Sequence, residues 1–441
     1  MDTRSTKHES LPQRSLKAVW HPCTQMKQHE KLPPIPIARA EGVWLYGPDG
    51  QGYLDAIGSW WVNLFGHSNP RINAAIRQQL DKMEHTMLAG FTHEAVVELS
   101  ERLSSLISGK LGHCLYSSDG ASAVEIALKM SFHYWRNCGR PDKANFVSLE
   151  NGYHGETLGA LSVTNVELFA EAYAPLLRPS TQVRTPDWRF AADSESPEEY
   201  ALRAAGVLEA HLAQHHTRTA AFIVEPLVQG ATGMGMYHPV YLTHAREICD
   251  RYEVHLIADE IAVGFGRTGT MFACEQAGIA PDILCLGKGL SGGYLPLSTV
   301  MATDEIYQAF YDDDITRGFL HSHTHSGNAL ACRAALATLD IFDDGDIITA
   351  NRAKADYLNQ SLLPLADHLR VKNFRNCGMI WAFEVETGDP AFSLNFFQAG
   401  LREGLSLRPL GNTVYFMPPY IIDQGEMDHL AAGSLRALES C

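Results

Sequence analysis

Four short, unbroken apolar runs punctuate the middle of the chain: ANFVSL (144–149), AAFIVE (220–225), VHLIAD (254–259) and DILCLG (282–287). Between them lie longer stretches of helical periodicity, such as VYLTHAREICDRYE (240–253). A strand covered on both faces has no polar side, so it reads as a continuous apolar run. Its alternation with helix-length segments predicts βαβ units around a mostly parallel sheet, an α/β fold. Upstream, GVWLYGPDGQGYLDAIG (42–58) sets two aromatic and aliphatic runs on either side of Gly47-Pro48-Asp49-Gly50, which predicts a hairpin. From Pro70 to Lys110 the apolar spacing turns helical, and from about residue 345 it becomes a helix, short strands and the segment MPPY (417–420). These changes divide the chain into an N-terminal arm and hairpin over 1–75 that pack with the small domain, a large domain over 76–340, and a C-terminal small α/β domain over 341–441.

Three of the runs stop at a polar group: Glu225, then Asp259-Glu260, then Lys288. Parallel sheets bind ligands outside the carboxyl ends of their strands, so these groups are expected to meet at one crevice. Lys288 ends an apolar run inside LCLGKGLSGG (284–293). Partial burial there disfavours the ammonium form and leaves a free amine for Schiff-base chemistry, while the flanking glycines admit a flat ring close to the backbone. The competing reading is a lysine that snorkels into solvent, and Asp259 alone reads equally well as a helix cap. Together, an imine-forming lysine and a carboxylate for a ring nitrogen are the pair that pyridoxal phosphate requires. In YSSDGASAVEIALKM (116–130), Gly120 and Ala121 open an amphipathic helix whose first N–H groups suit a phosphate, with an ordinary cap as the alternative. In NGYHGET (151–157), Tyr153 is placed to stack on a cofactor ring or to pack in the core.

Other motifs carry less weight. Gly264 to Gly269, GFGRTG, fits the dinucleotide pattern, but residues 260–263 separate the strand end from the first glycine and no acid stands where a ribose would need it. A nicotinamide-dependent oxidoreductase is thus the weaker reading. Lys288 is followed by Gly289 instead of Ser or Thr, so there is no P-loop. His321, His323 and His325 alternate on one face without a carboxylate or cysteine to complete a set, so no metal site is expected, and the loop is read as offering Thr324 to an anion.

Charge and composition narrow the partners. The net charge of −16 argues against nucleic acid or anionic lipid, and no apolar run is long enough to cross a membrane. The nine cysteines are scattered, and the first residues lack the apolar centre of a signal peptide, so a cytoplasmic protein is expected.

The ordered set SSDGASAVEIALKM, NGYHGET, IVEPLVQG, LIADEIAVGFGRTG, LGKGLSGG and HTHSGNALAC resembles the class III, fold-type I, pyridoxal-phosphate aminotransferases from about residue 40 to the C-terminus. The resemblance implies Lys288 as the catalytic, imine-forming residue, Asp259 on the ring nitrogen and Tyr153 on the ring face. It implies Gly120, Ala121 and Thr324 on the phosphate, with Thr324 reaching across a homodimer interface. Within the family, VWHPCTQM (19–26), GSWWVNLFGH (58–67) and SLRPLGNTVYFMPPY (406–420) resemble the branch that aminates 8-amino-7-oxononanoate with S-adenosylmethionine in biotin synthesis. That branch implies Trp60, Tyr153, Lys288, Arg408 and Tyr415 around the substrate, Arg408 taking a carboxylate in a two-pronged fashion that lysine would not reproduce. Trp61 is the lesser candidate, with packing as its alternative. Cys23 stands in HPCT where many members have HPYT, and Glu156 where an aspartate is frequent. An ornithine- or 4-aminobutyrate-type ω-aminotransferase is the alternative within the family.

Overall fold

The apolar runs assemble into the middle of a seven-stranded sheet in a computed structural model that describes residues 9–107 and 111–441. In spatial order the strands are His113–Ser117, Ser298–Ala302, Ile283–Leu286, His255–Asp259, Thr219–Val224, Asn145–Leu149 and Thr181–Val183. Ser298–Ala302 alone runs against the others, so the sheet is mostly parallel, as the pattern predicts. Ile257 lies opposite both Ile283 and Ile223.

The continuous apolar character of these strands has a simple cause, because alternate side chains enter different cores. Ala221, Ile223, Ile257 and Ile283 pack with Val124, Ala127 and Leu128 of the helix Gly120–Asn137. Phe222, Val224 and Leu256 pack with Leu208 and Leu242 of the helices Pro197–His215 and Val240–Arg251. Every residue of the three central strands is buried.

The predicted hairpin forms from Trp44–Tyr46 and Gly52–Asp55, turning through Gly50 with a φ of 86° that suits glycine. Leu405–Ser406 pairs in parallel with Gly52–Asp55, which puts N- and C-terminal segments in one sheet. A second antiparallel sheet, Val371–Cys377, Ile380–Val385 and Thr413–Phe416, packs through Trp381, Phe383 and Phe416 with Leu358 and Leu430 of the helices Ile347–Ser361 and Gln424–Glu439. The turn before that sheet's last strand carries Arg408, and the strand itself carries Tyr415 toward the crevice.

Candidate active site

Three strand ends converge as expected. Asp259 terminates its strand almost fully buried, its Oδ2 bonded to His154 Nδ1 at 2.8 Å and its Oδ1 accepting from the Ile261 N–H at 3.2 Å. Glu225, 6% exposed, accepts from the backbone N–H groups of Tyr153 at 2.8 Å and Gly230 at 3.0 Å. Its carboxyl is pushed up to about 7, chiefly by burial, with His154 pulling it down and Asp259 adding to the rise. Lys288 follows the next strand in a left-handed conformation, φ 40°, which a non-glycine residue holds only when its surroundings impose it. Burial lowers the pKa of its amine, against the opposing pull of Asp259 and Glu225. Glu260 behaves differently from its neighbour: it turns away to accept from the N–H groups of Ala273 at 2.7 Å and Cys274 at 2.8 Å, capping the turn Ala273–Ala277.

Glycines line the space beside these groups. A Cβ added to Gly120 would stand 2.9 Å from Ile261 Cγ2, and one added to Gly287 would stand 3.2 Å from the same atom. Helix Gly120–Asn137 begins here, capped by Asp119 through the Ser122 N–H at 2.9 Å, and Ser298 ties the Asp119 carbonyl to the sheet at 2.6 Å. Tyr153 lies half-buried, its hydroxyl donating to Glu156 at 3.0 Å and its ring edge-on to Phe169. Burial, with Glu156 beside it, raises its phenol pKa.

A second layer surrounds the amine. Lys288 Nζ lies 5.1 Å from the centre of the Trp61 ring, and Trp61 Nε1 donates to the Tyr415 hydroxyl at 3.1 Å. Burial pushes the Tyr415 phenol up to about 12, with Trp61 and Arg408 opposing. Trp61 is therefore central, whereas Trp60 is 40% exposed and lies under the Arg408 guanidinium at 4.6 Å. The two side chains part because Ser59, Trp60 and Trp61 all have positive φ, an arrangement held by Ser59 hydrogen bonds to Asp55 and by Arg267 on the Asn63 carbonyl. Arg408 also donates through Nη2 to the Cys23 carbonyl at 3.0 Å.

Thr324 lies in the segment before the helix Ala329–Asp344. It is exposed, its carbonyl accepts from His85 Nε2 at 3.0 Å, and it makes no hydrogen bond to Gly120, Ala121 or Lys288. GFGRTG occupies a series of turns instead of opening a helix, and its Arg267 is buried against the carbonyls of Asn63, Met417 and Pro418. Among the described residues no group of three or more His, Cys, Asp and Glu side chains is arranged to hold a metal ion. Sequence reasoning missed the partnership of His154 with Asp259 and the place of Trp61. A histidine two residues before Glu156 gives no sign of pairing with an acid 105 positions away, and a double tryptophan does not say which ring turns inward.

The family model described as Aminotransferase class-III matches residues 25–438. The chain belongs to the class III aminotransferases. It is 45% identical, over 98% of each chain, to the adenosylmethionine-8-amino-7-oxononanoate aminotransferase of Helicobacter pylori. Among solved structures, the adenosylmethionine-8-amino-7-oxononanoate aminotransferase of Methanocaldococcus jannaschii is similar with a TM-score of 0.91 and 34% identity, covering 97% of this chain and 98% of that one. An omega transaminase from Pseudomonas jessenii in complex with PMP is similar with a TM-score of 0.93 and 30% identity over 98% of each chain. As an aminotransferase of this class, the chain has the fold-type I α/β architecture that the sheet order shows.

Proposed function

We propose that the protein transfers an amino group from S-adenosylmethionine to the keto group of 8-amino-7-oxononanoate, forming 7,8-diaminononanoate in biotin biosynthesis, with pyridoxal 5′-phosphate as cofactor. Supporting the substrate assignment is the identity over nearly the whole chain to aminotransferases named for that reaction. Supporting the chemistry is one observation above the others: Lys288 and Asp259 stand at the carboxyl ends of adjacent parallel strands, with Asp259 buried and its charge acting on the Lys288 amine.

The residues fit the cofactor. A side chain at Gly120 would fill the space against Ile261, so the glycine keeps a slot open at a helix N-terminus, where N–H groups suit a phosphate. Gly120 and Ala121 would hold the phosphate from this chain. Asp259, oriented by His154 and the Ile261 N–H, would pair with the ring nitrogen, and Tyr153 would cover the ring. When bound, the cofactor supplies an aldehyde carbon that carries the amino group and a conjugated ring that disperses carbanion charge.

The remaining work belongs to this chain. Lys288 would hold the cofactor, and its free Nζ would take the proton from the donor's α-carbon; burial lowers the pKa of that amine, which favours the role. Asp259 would hold the proton on the ring nitrogen. Trp61 and Tyr415 wall off water beside Lys288. Arg408, over Trp60 at the mouth, takes the carboxylate of the keto acid, so the long chain of that substrate spans from mouth to amine.

The partner is a second copy of the chain. Thr324 is exposed and makes no hydrogen bond to Gly120, Ala121 or Lys288 of its own chain, so it would serve the phosphate of the neighbouring site, and exposed Phe91 and Val97 line a cavity of about 650 Å³ that offers an apolar face for the contact. No helix among the described residues is long and apolar enough to cross a membrane. The ω-amine alternative rests on fold similarity to the Pseudomonas jessenii enzyme, whereas the higher sequence identity favours the oxononanoate reading. The deciding experiment charges the enzyme with donor until its visible absorption is lost, then adds 8-amino-7-oxononanoate. Return of the band with that ketone supports the assignment; return only with a short ω-aldehyde replaces it with the ω-amine alternative.

A further inference from the structure

The N-terminal arm meets the folded body at the substrate arginine. Its helix Leu11–Ala18 and its turn Met26–Glu30 bury no side chain, and Trp20 is 81% exposed. Hydrogen bonds within the arm are local, such as Ser15 to His21 at 3.0 Å and His29 to the Leu32 carbonyl at 3.2 Å. Among the described residues, one hydrogen bond ties 9–32 to the rest of the chain: Arg408 Nη2 to the Cys23 carbonyl at 3.0 Å.

The local backbone is bent to make that contact. Cys23 has φ 50°, in the left-handed region that a cysteine adopts at a cost, and it follows Pro22, whose ring restricts the approach. On the other side, the Arg408 guanidinium carbon stands 4.6 Å over the Trp60 ring. A guanidinium presents its donors as a rigid fork with two edges that accept a carboxylate, and Nη2 contributes one hydrogen to each edge. A carbonyl on Nη2 therefore occupies one edge and leaves the other whole.

We propose that Cys23 is a specificity-positioning residue: its backbone carbonyl, with the face of Trp60, fixes Arg408 so that one complete edge meets the acid end of the substrate, and the same bond straps the arm across the mouth. The inference rests on the reading that Arg408 takes that carboxylate. Reading the acid and seating the arm become linked, since both depend on one orientation of one guanidinium. The contact with Arg408 is made by the Cys23 carbonyl and not by its side chain, so that bond asks for a backbone shape at position 23.

Two measurements on the full-length holoenzyme test this. In the first, without substrate, limited trypsin digestion reads cleavage after Lys17 and Lys27 in the arm. Arg408→Met is expected to speed that cleavage about fivefold, because a local opening governed by one charged hydrogen bond becomes easier. Cys23→Asn, which tolerates a positive φ and keeps the carbonyl, is expected to be cut at the unaltered rate. Equal rates for Arg408→Met and the unaltered enzyme would overturn the strap. The second compares kcat/KM for 8-amino-7-oxononanoate and its methyl ester. Cys23→Pro, which cannot hold φ 50°, and deletion of residues 1–23 are both expected to reduce the preference for acid over ester about fivefold or more, with the visible cofactor band intact. An unchanged preference in both would overturn the positioning role. Failure of the substrate reading looks different: the unaltered enzyme would then consume neither acid nor ester, while the trypsin result still reports on the strap.

Discussion

At Lys288, burial works against the ammonium ion while Asp259 and Glu225 work for it, so a single amine is held between two demands. Replacement by alanine is expected to lower transamination at least about 10^3-fold, the general acid–base contribution alone, and to abolish borohydride fixation of the cofactor to the chain. Glu225 poses the opposite problem, an acid whose folded pKa, about 7, stands above its ordinary 4.5. A raised carboxyl pKa means that the folded state holds the proton more firmly. Its contribution is present below about 4.5 and is lost as pH rises through about 7, a change of roughly 3 kcal/mol. Glu225→Gln, neutral at every pH, is therefore expected to cost the most stability near pH 5 and progressively less toward pH 8. Denaturant midpoints of both proteins across that range measure it, and a penalty that grows with pH would contradict the assignment.

At the scale of elements, the segment 58–63 shows how a strained turn is kept. Three successive positive φ angles send Trp60 to the mouth and Trp61 to the amine. Arg267 holds the far end of that turn and binds the Met417 and Pro418 carbonyls as well, so one buried guanidinium joins the N-terminal segment to the C-terminal one. Burial lowers its pKa, and Tyr420 lies 4.9 Å below it in place of a paired acid. Arg267→Met relieves the cost of burying a charge but leaves three carbonyls without this donor. The net expectation is a loss of about 1–3 kcal/mol, read from denaturant unfolding, together with a higher KM for the keto acid as the tryptophans relax.

At the scale of the molecule, the site is incomplete in one chain if Thr324 serves the neighbouring phosphate. Subunit mixing tests this directly. Thr324→Val and Lys288→Ala each spoil activity in their own homodimers at limiting cofactor, the first through about tenfold weaker cofactor binding. In a mixed dimer with cross-subunit Thr324, both defects fall in one site and the other site is intact. Activity is thus expected to reappear when the two variants are refolded or exchanged together. If Thr324 serves its own chain, every mixed site keeps one defect and activity stays low.

The same distinction of scale separates what was legible in the sequence from what was not. Local patterning determined four strands of the seven-stranded sheet, the hairpin at 42–58 and the polar groups that end the runs, because burial on two faces and tight turns leave a direct mark on residue order. It also singled out Lys288 and Asp259, since a charge at the end of an apolar run is rare enough to notice. Only the tertiary structure decided that His154 bonds to Asp259, that Glu260 turns to cap a helix, that Trp61 and not Trp60 faces the amine, and that the Cys23 carbonyl reaches Arg408. Those outcomes hang on backbone angles and on partners from 13 to 385 positions apart, and no periodicity along the chain records which direction a side chain takes once the strands have been laid side by side.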